Sequence, residues 1–73
     1  NERCNPAIAI QICDSDLRKY KVDLSKFNTA VEDTPGFYQI FYMPIREKPM
    51  NGGNYEYWVS KKGCIIKKAF AGQ

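Results

Sequence analysis

Seventy-three residues make one domain and no more. Aromatic side chains are 14% of the chain and the net charge is only +3, which excludes disorder and does not by itself point to nucleic acid. The sequence has three Cys and no His, so it lacks the usual general base for a nucleophile and matches no zinc-ligand spacing.

A chain of this length buries only about 60% of the surface its unfolded form exposes. It can build one hydrophobic layer between two elements. Five Tyr, four Phe and one Trp supply the large buried areas that such a small core needs.

Asn5-Pro6 reads as a helix start. Asn is a good N-cap, and Pro is tolerated at the first helical position, where its missing N–H costs nothing. The alternation of Ile8, Ile10 and Ile12 with smaller residues fits a strand, but a helical period fits better once the segment is extended to Tyr20. Gln11, Asp14, Ser15 and Arg18 fall on one face, and Ala9, Ile10, Cys13, Leu17 and Tyr20 on the other. A helix is expected over about 6–20.

Lys21 to Lys26 is a connection, anchored by Leu24 and Phe27, and 27–32 is a strand. Thr34-Pro35-Gly36-Phe37 is a type II turn: Pro presets φ at the second position and Gly supplies φ > 0 at the third. A second strand over 37–43 is almost wholly aromatic and branched. The stretch 44–53 holds two Pro and two Gly and reads as a loop. An aromatic strand over 54–60, a turn at Lys61-Lys62-Gly63 and a last strand over 64–70 complete the chain.

This order gives the α+β class, one N-terminal helix packed on a four-stranded antiparallel meander. In the second strand Tyr38, Ile40 and Tyr42 point to one face, and Phe37, Phe41 and Met43 to the other. A single helix cannot cover both, and an uncovered apolar sheet face marks an interaction site.

Gly52-Gly53, Tyr55-Glu56-Tyr57-Trp58-Val59-Ser60 and Lys61-Lys62-Gly63-Cys64-Ile65-Ile66 together resemble a recurring bacterial pattern. In it a double Gly precedes a strand, a Lys-x-Gly turn follows, and a strand with paired branched residues ends the domain. The chain resembles the small immunity domains of nuclear-transport-factor-two-like fold, and more loosely the PepSY-type and cystatin-like domains. Ala7, Ile8 and Ala9 stand where those domains carry an Ala-rich helix start. Lys21 stands where they often carry Gly, and the three cysteines are a further departure. The resemblance implies a protein that binds and neutralises a toxin, with no catalytic residues to carry over.

Three cysteines in so short a chain point to an oxidising compartment and one disulfide. Three pairings are open. Cys13, on the apolar helix face, is favoured as the buried thiol, which leaves Cys4 with Cys64. The polar start at Asn1 shows no signal peptide, so an exported form, periplasmic or secreted, would already have lost it.

Asp14-Ser15-Asp16 has neither the Gly nor the Glu of a calcium loop and reads as an exposed helix face. Glu56 reads as a surface partner for a Lys. No apolar run is long enough to span a bilayer. The expectation is therefore a non-catalytic protein-binding module without cofactor or metal, whose partner is another protein or a second copy. Trp58, Tyr42 and Tyr55 are its expected anchors and Arg46 and Lys48 its polar rim. The alternative is a basic aromatic sheet that stacks single-stranded nucleic acid or holds another anionic polymer, with Lys tracking phosphates.

Overall fold

The computed structural model describes residues 4–45 and 53–71. Its first element is a helix, α1 (Pro6–Lys19). The Asn5 side chain accepts a hydrogen bond from the Ile8 N–H at 2.9 Å, which satisfies one of the orphan donors of the first turn. Pro6 opens the helix, and Arg18 and Lys19 in its last turn complement the negative end of the helix dipole.

The helix ends in a Schellman motif. The Val22 N–H donates to the Leu17 carbonyl and the Lys21 N–H to the Arg18 carbonyl. Lys21 takes φ +62 to make this turn, the conformation that Gly adopts without strain. Tyr20 is the C-cap and is 73% exposed, so the buried stripe stops at Leu17 and does not include Tyr20 as the helical period suggests.

A short 3₁₀ turn (Leu24–Lys26) leads into the sheet. Asp23 caps it, accepting from the Ser25 N–H and hydroxyl, and these bonds hold its carboxyl below the usual value. Four strands follow: β1 (Phe27–Thr34), β2 (Phe37–Pro44), β3 (Tyr55–Ser60) and β4 (Ile65–Ala71). They lie in the order β1-β2-β3-β4, each antiparallel to its neighbour. The α+β meander expected from the sequence is therefore the observed fold.

Pro35-Gly36 joins β1 to β2, with Gly36 at φ +88 as a Pro-Gly turn requires. Between β3 and β4, Gly63 and Cys64 both take positive φ. The pairing shifts register between Trp58 and Val59, which leaves Lys67 bulged out of the β4 ladder.

The core is one layer. Ala9, Cys13 and Leu17 of α1 meet Tyr38, Ile40 and Tyr42 of β2 and Tyr57 and Val59 of β3. No residue of β1 or β4 is fully buried, so the helix lies along the two central strands. Cys4 and Cys64 form a disulfide with Cα atoms 5.1 Å apart, and Cys13 is a buried free thiol. The bridge ties the segment before α1 to the turn before β4 across 60 residues of sequence.

Two stability effects are expected from this architecture. Replacing Cys4 and Cys64 together by Ser should lower the unfolding free energy in urea by about 4 kcal/mol, from the length of the closed loop. Lys21→Gly should raise it by about 0.5–1 kcal/mol, because the left-handed conformation is strained for Lys and open to Gly.

Candidate functional site

The period of two along the strands divides the sheet. Tyr38, Ile40 and Tyr42 turn toward α1, and Phe37, Gln39, Phe41 and Met43 turn away. On β3, Tyr57 and Val59 face the helix while Glu56, Trp58 and Ser60 face away. The register then gathers aromatic residues from three strands on the open face, since Gln39 pairs with Trp58, Phe41 with Glu56, and Glu56 with Phe70.

Trp58 is the centre of this face. Its ring stacks on Phe37 with centroids 4.6 Å apart and an interplanar angle of 10°. Phe70 meets it edge-on at 6.2 Å. The Lys68 ammonium sits 4.9 Å from the Trp58 ring centroid, a cation–π contact. The Trp58 indole N–H donates to the Glu56 carboxylate at 2.5 Å. Glu56 is thus the partner of an indole rather than of a Lys, because Trp58 is its same-face neighbour two residues along the strand. Met43 and Phe70, 45% and 48% exposed, continue the apolar surface at either side. No second layer covers it among the described residues.

The opposite face holds the helix by a polar seam. Tyr42 donates its hydroxyl hydrogen bond to Asp14 at 2.5 Å, and Tyr57 donates to Asp16 at 2.8 Å. Asp14 and Asp16 are half-buried acceptors, not the free exposed helix face that the sequence suggests. Burial and these carboxylates push both phenol pKa values up. Cys13 lies in the same layer. Burial first, then Asp14 and Asp16, push its thiol up to about 12, so it is protonated at neutral pH.

A cleft of about 310 Å³ opens between the end of α1 and the β3–β4 side of the sheet. Leu17, Tyr20, Tyr55 and Tyr57 line it, with Ala69 and Ala71 as its floor on β4. Those two Ala leave unfilled the space that larger side chains would occupy under the helix. Among the described residues no group of three or more His, Cys, Asp or Glu side chains is placed to hold a metal ion. No described helix is long and apolar enough to cross a membrane.

The expected anchors separate. Trp58 lies on the open face. Tyr42 is 1% exposed beneath α1 and cannot serve as a surface anchor, because it shares the parity of Tyr38 and Ile40 on the covered face. Tyr55 is half-buried on the helix side, its ring tilted against Phe27 at 5.6 Å, away from Trp58. Arg46 and Lys48 lie outside the described residues. Phe37, Phe41, Phe70 and Lys68 join Trp58 instead. Phe37 and Phe41 share one parity in the sequence. Their placement beside Trp58 needs the β2–β3 register, which is not written in either strand alone.

No family model, curated protein or solved structure matches this chain.

The buried seam predicts alkaline sensitivity. In the unfolded chain the Cys13 thiol loses its proton as the pH passes the ordinary value of 9.0, while the folded chain keeps it to about 12. The folded state then binds more protons, so stability falls as the pH rises through this window. The ordinary tyrosine value is 10.0 and both seam phenols are raised, so Tyr42 and Tyr57 steepen the fall above it. Urea titrations should show a loss of roughly 2 kcal/mol between pH 9 and 10, more than half of it from Cys13. Cys13→Ala should remove more than half of that loss and leave the fall that the two phenols cause above it.

Proposed function

We propose that this chain is a non-catalytic protein-binding module that engages its partner through the open sheet face. The observation that carries this reading is the aromatic group of Phe37 stacked on Trp58 with Phe70 edge-on, held together on the face that α1 leaves uncovered. Aromatic residues in a contiguous apolar patch with a polar rim are what binding hot spots are made of. The helix and the disulfide hold the strands, so the face is pre-organised and little ordering cost attends binding.

Neutralisation of a toxin or enzyme by surface complementarity, as an immunity or inhibitor protein of bacterial origin acts, fits such a rigid face. The Cys4–Cys64 bridge supports work in an oxidising compartment, periplasmic or extracellular.

Charge on the face favours protein over nucleic acid. Glu56 lies beside Trp58, and Glu32 of β1 pairs with Gln39 on the same face. Two carboxylates on the face that carries the stacking rings repel a phosphate backbone. Binding of an anionic polymer would instead need the steep salt dependence of counterion release.

Affinity capture from an extract of the source organism, with wild-type protein and Trp58→Ala side by side at low and moderate salt, tests the reading. One partner protein should be retained by wild type at both salts and lost with Trp58→Ala. The variant should lose about 2–3 kcal/mol of stability, since two ring contacts and the burial of a half-buried ring go with it, and circular dichroism should show it still folded. A Trp58→Ala chain that no longer folds would show that this ring serves the fold, and a folded variant that still retains the partner would take the ring out of the interface. Retained material that is nucleic acid and leaves at moderate salt would overturn the protein-binding reading.

A further inference from the structure

The two edges of the sheet are complementary to each other. β1 is one edge and β4 the other, and among the described residues each presents a row of peptide groups without a strand beside it. β1 carries Glu32 and Asp33, the latter paired with Lys61 of its own copy, and β4 carries Lys67 and Lys68. Opposite charge favours one combination, β4 of one copy with β1 of the next, in which Glu32 and Lys68 can stand opposite each other.

Hydrogen-bond parity and side-chain faces allow this pairing in register. The Ile45 N–H donates to the Lys26 carbonyl at 2.8 Å, and bonded pairs alternate along an antiparallel ladder. Thr29, Val31 and Asp33 therefore direct their peptide groups outward from β1. The Lys61 N–H donates to the Gly36 carbonyl at 2.9 Å, which by the same alternation points Ala69 and Ala71 outward from β4. Setting Val31 opposite Ala69 puts Thr29 opposite Ala71 and Glu32 opposite Lys68. Outward peptide groups then meet outward peptide groups. Glu32 and Lys68 form a non-hydrogen-bonded pair, the type in which side chains approach most closely.

The faces agree as well. Glu32 and Lys68 both lie on the open face, and Val31 and Ala69 both lie on the helix side. Val31 is 37% exposed, an apolar side chain with no strand outside it among the described residues. In this register it comes to rest beside the Ala69 and Ala71 floor of the cleft.

We propose that the chain associates head to tail, β1 of one copy adding to β4 of the next as a fifth antiparallel strand with Glu32 opposite Lys68 and Val31 opposite Ala69. Such a contact is heterologous and does not close on itself as a two-fold pair does. Helices stay on one side of the extended sheet and open faces on the other.

Sedimentation of the intact, disulfide-bonded protein at low salt, from micromolar to about 1 mM, the weak end of specific association, tests the proposal. The average mass should rise continuously with concentration, and less so at high salt, which screens exposed charges. Glu32→Lys and Lys68→Glu should each weaken association about tenfold, since an attractive cross-strand pair becomes a repulsive one. The double variant, with the charges exchanged, should recover it. Val31→Pro gives a second check. It removes an outward N–H and leaves the β1–β2 bonds in place, as Pro at an edge position can. Circular dichroism should show that variant folded, and its mass should stay monomeric. A wild-type mass that stays monomeric throughout would overturn the proposal. So would association that either single charge reversal leaves unchanged, or that the double variant does not recover.

Discussion

A helix of 14 residues is about 21 Å long and about 10 Å across with its side chains. Four strands side by side span roughly 19 Å. One helix laid on this sheet therefore covers the two central strands of one face and nothing else. Every surface of interest follows from that mismatch. The face away from α1 keeps its aromatic residues uncovered. On the covered face, the outer strands lie beyond the helix, which leaves Val31 exposed at one side and the Ala69–Ala71 cleft at the other. The described residues form a single core layer, and the disulfide adds the stability that a thin core lacks.

The helix is held by more than apolar contact. Tyr42 and Tyr57 place their rings in the core and carry their hydroxyls through it to Asp14 and Asp16. A buried phenol without a partner would cost about 1–3 kcal/mol, so the two carboxylates allow large rings where small ones would leave voids. Two hydrogen bonds from different strands to one turn of helix also fix its rotation and its position along the sheet. A purely aliphatic layer would tolerate sliding. The seam thus specifies one arrangement, and it decides which residues of β2 and β3 are left to the open face.

Much of this was legible in the sequence, and the exceptions share a cause. The Asn5-Pro6 start, the Pro35-Gly36 turn and the alternation along β2 are local signals, and each appears where its chemistry requires it. The pairing of Cys4 with Cys64 followed from the place of Cys13 on the buried stripe. What the chain alone did not disclose depends on partners distant in sequence. Tyr42 looked like a surface anchor because alternation gives two faces without saying which one the helix takes. Asp14 and Asp16 looked solvated because their donors, Tyr42 and Tyr57, lie 28 and 41 residues away. Tyr20 looked buried because a helical period does not announce that the chain turns aside through Lys21. Glu56 looked like a partner for Lys because its indole donor becomes evident only when the strand's outward side is known.

The open face and the edges are not independent surfaces. Phe70 sits at the β4 border of the aromatic face, and in the head-to-tail register it stands opposite Ala30 of the next copy. Ala30 in turn pairs with Phe41 within that copy. The small side chain between them lets the two aromatic groups approach across the junction, and the two patches become one. Glu32 and Lys68 then form a charged bridge at the same border. A partner that grips one copy weakly would meet a repeating surface, and each additional contact becomes intramolecular once the first is made. Affinity would then depend on the concentration of the chain itself as well as on the quality of a single site. The opposite charges that favour the head-to-tail junction are, on this reading, the same ones that set the spacing of the binding faces.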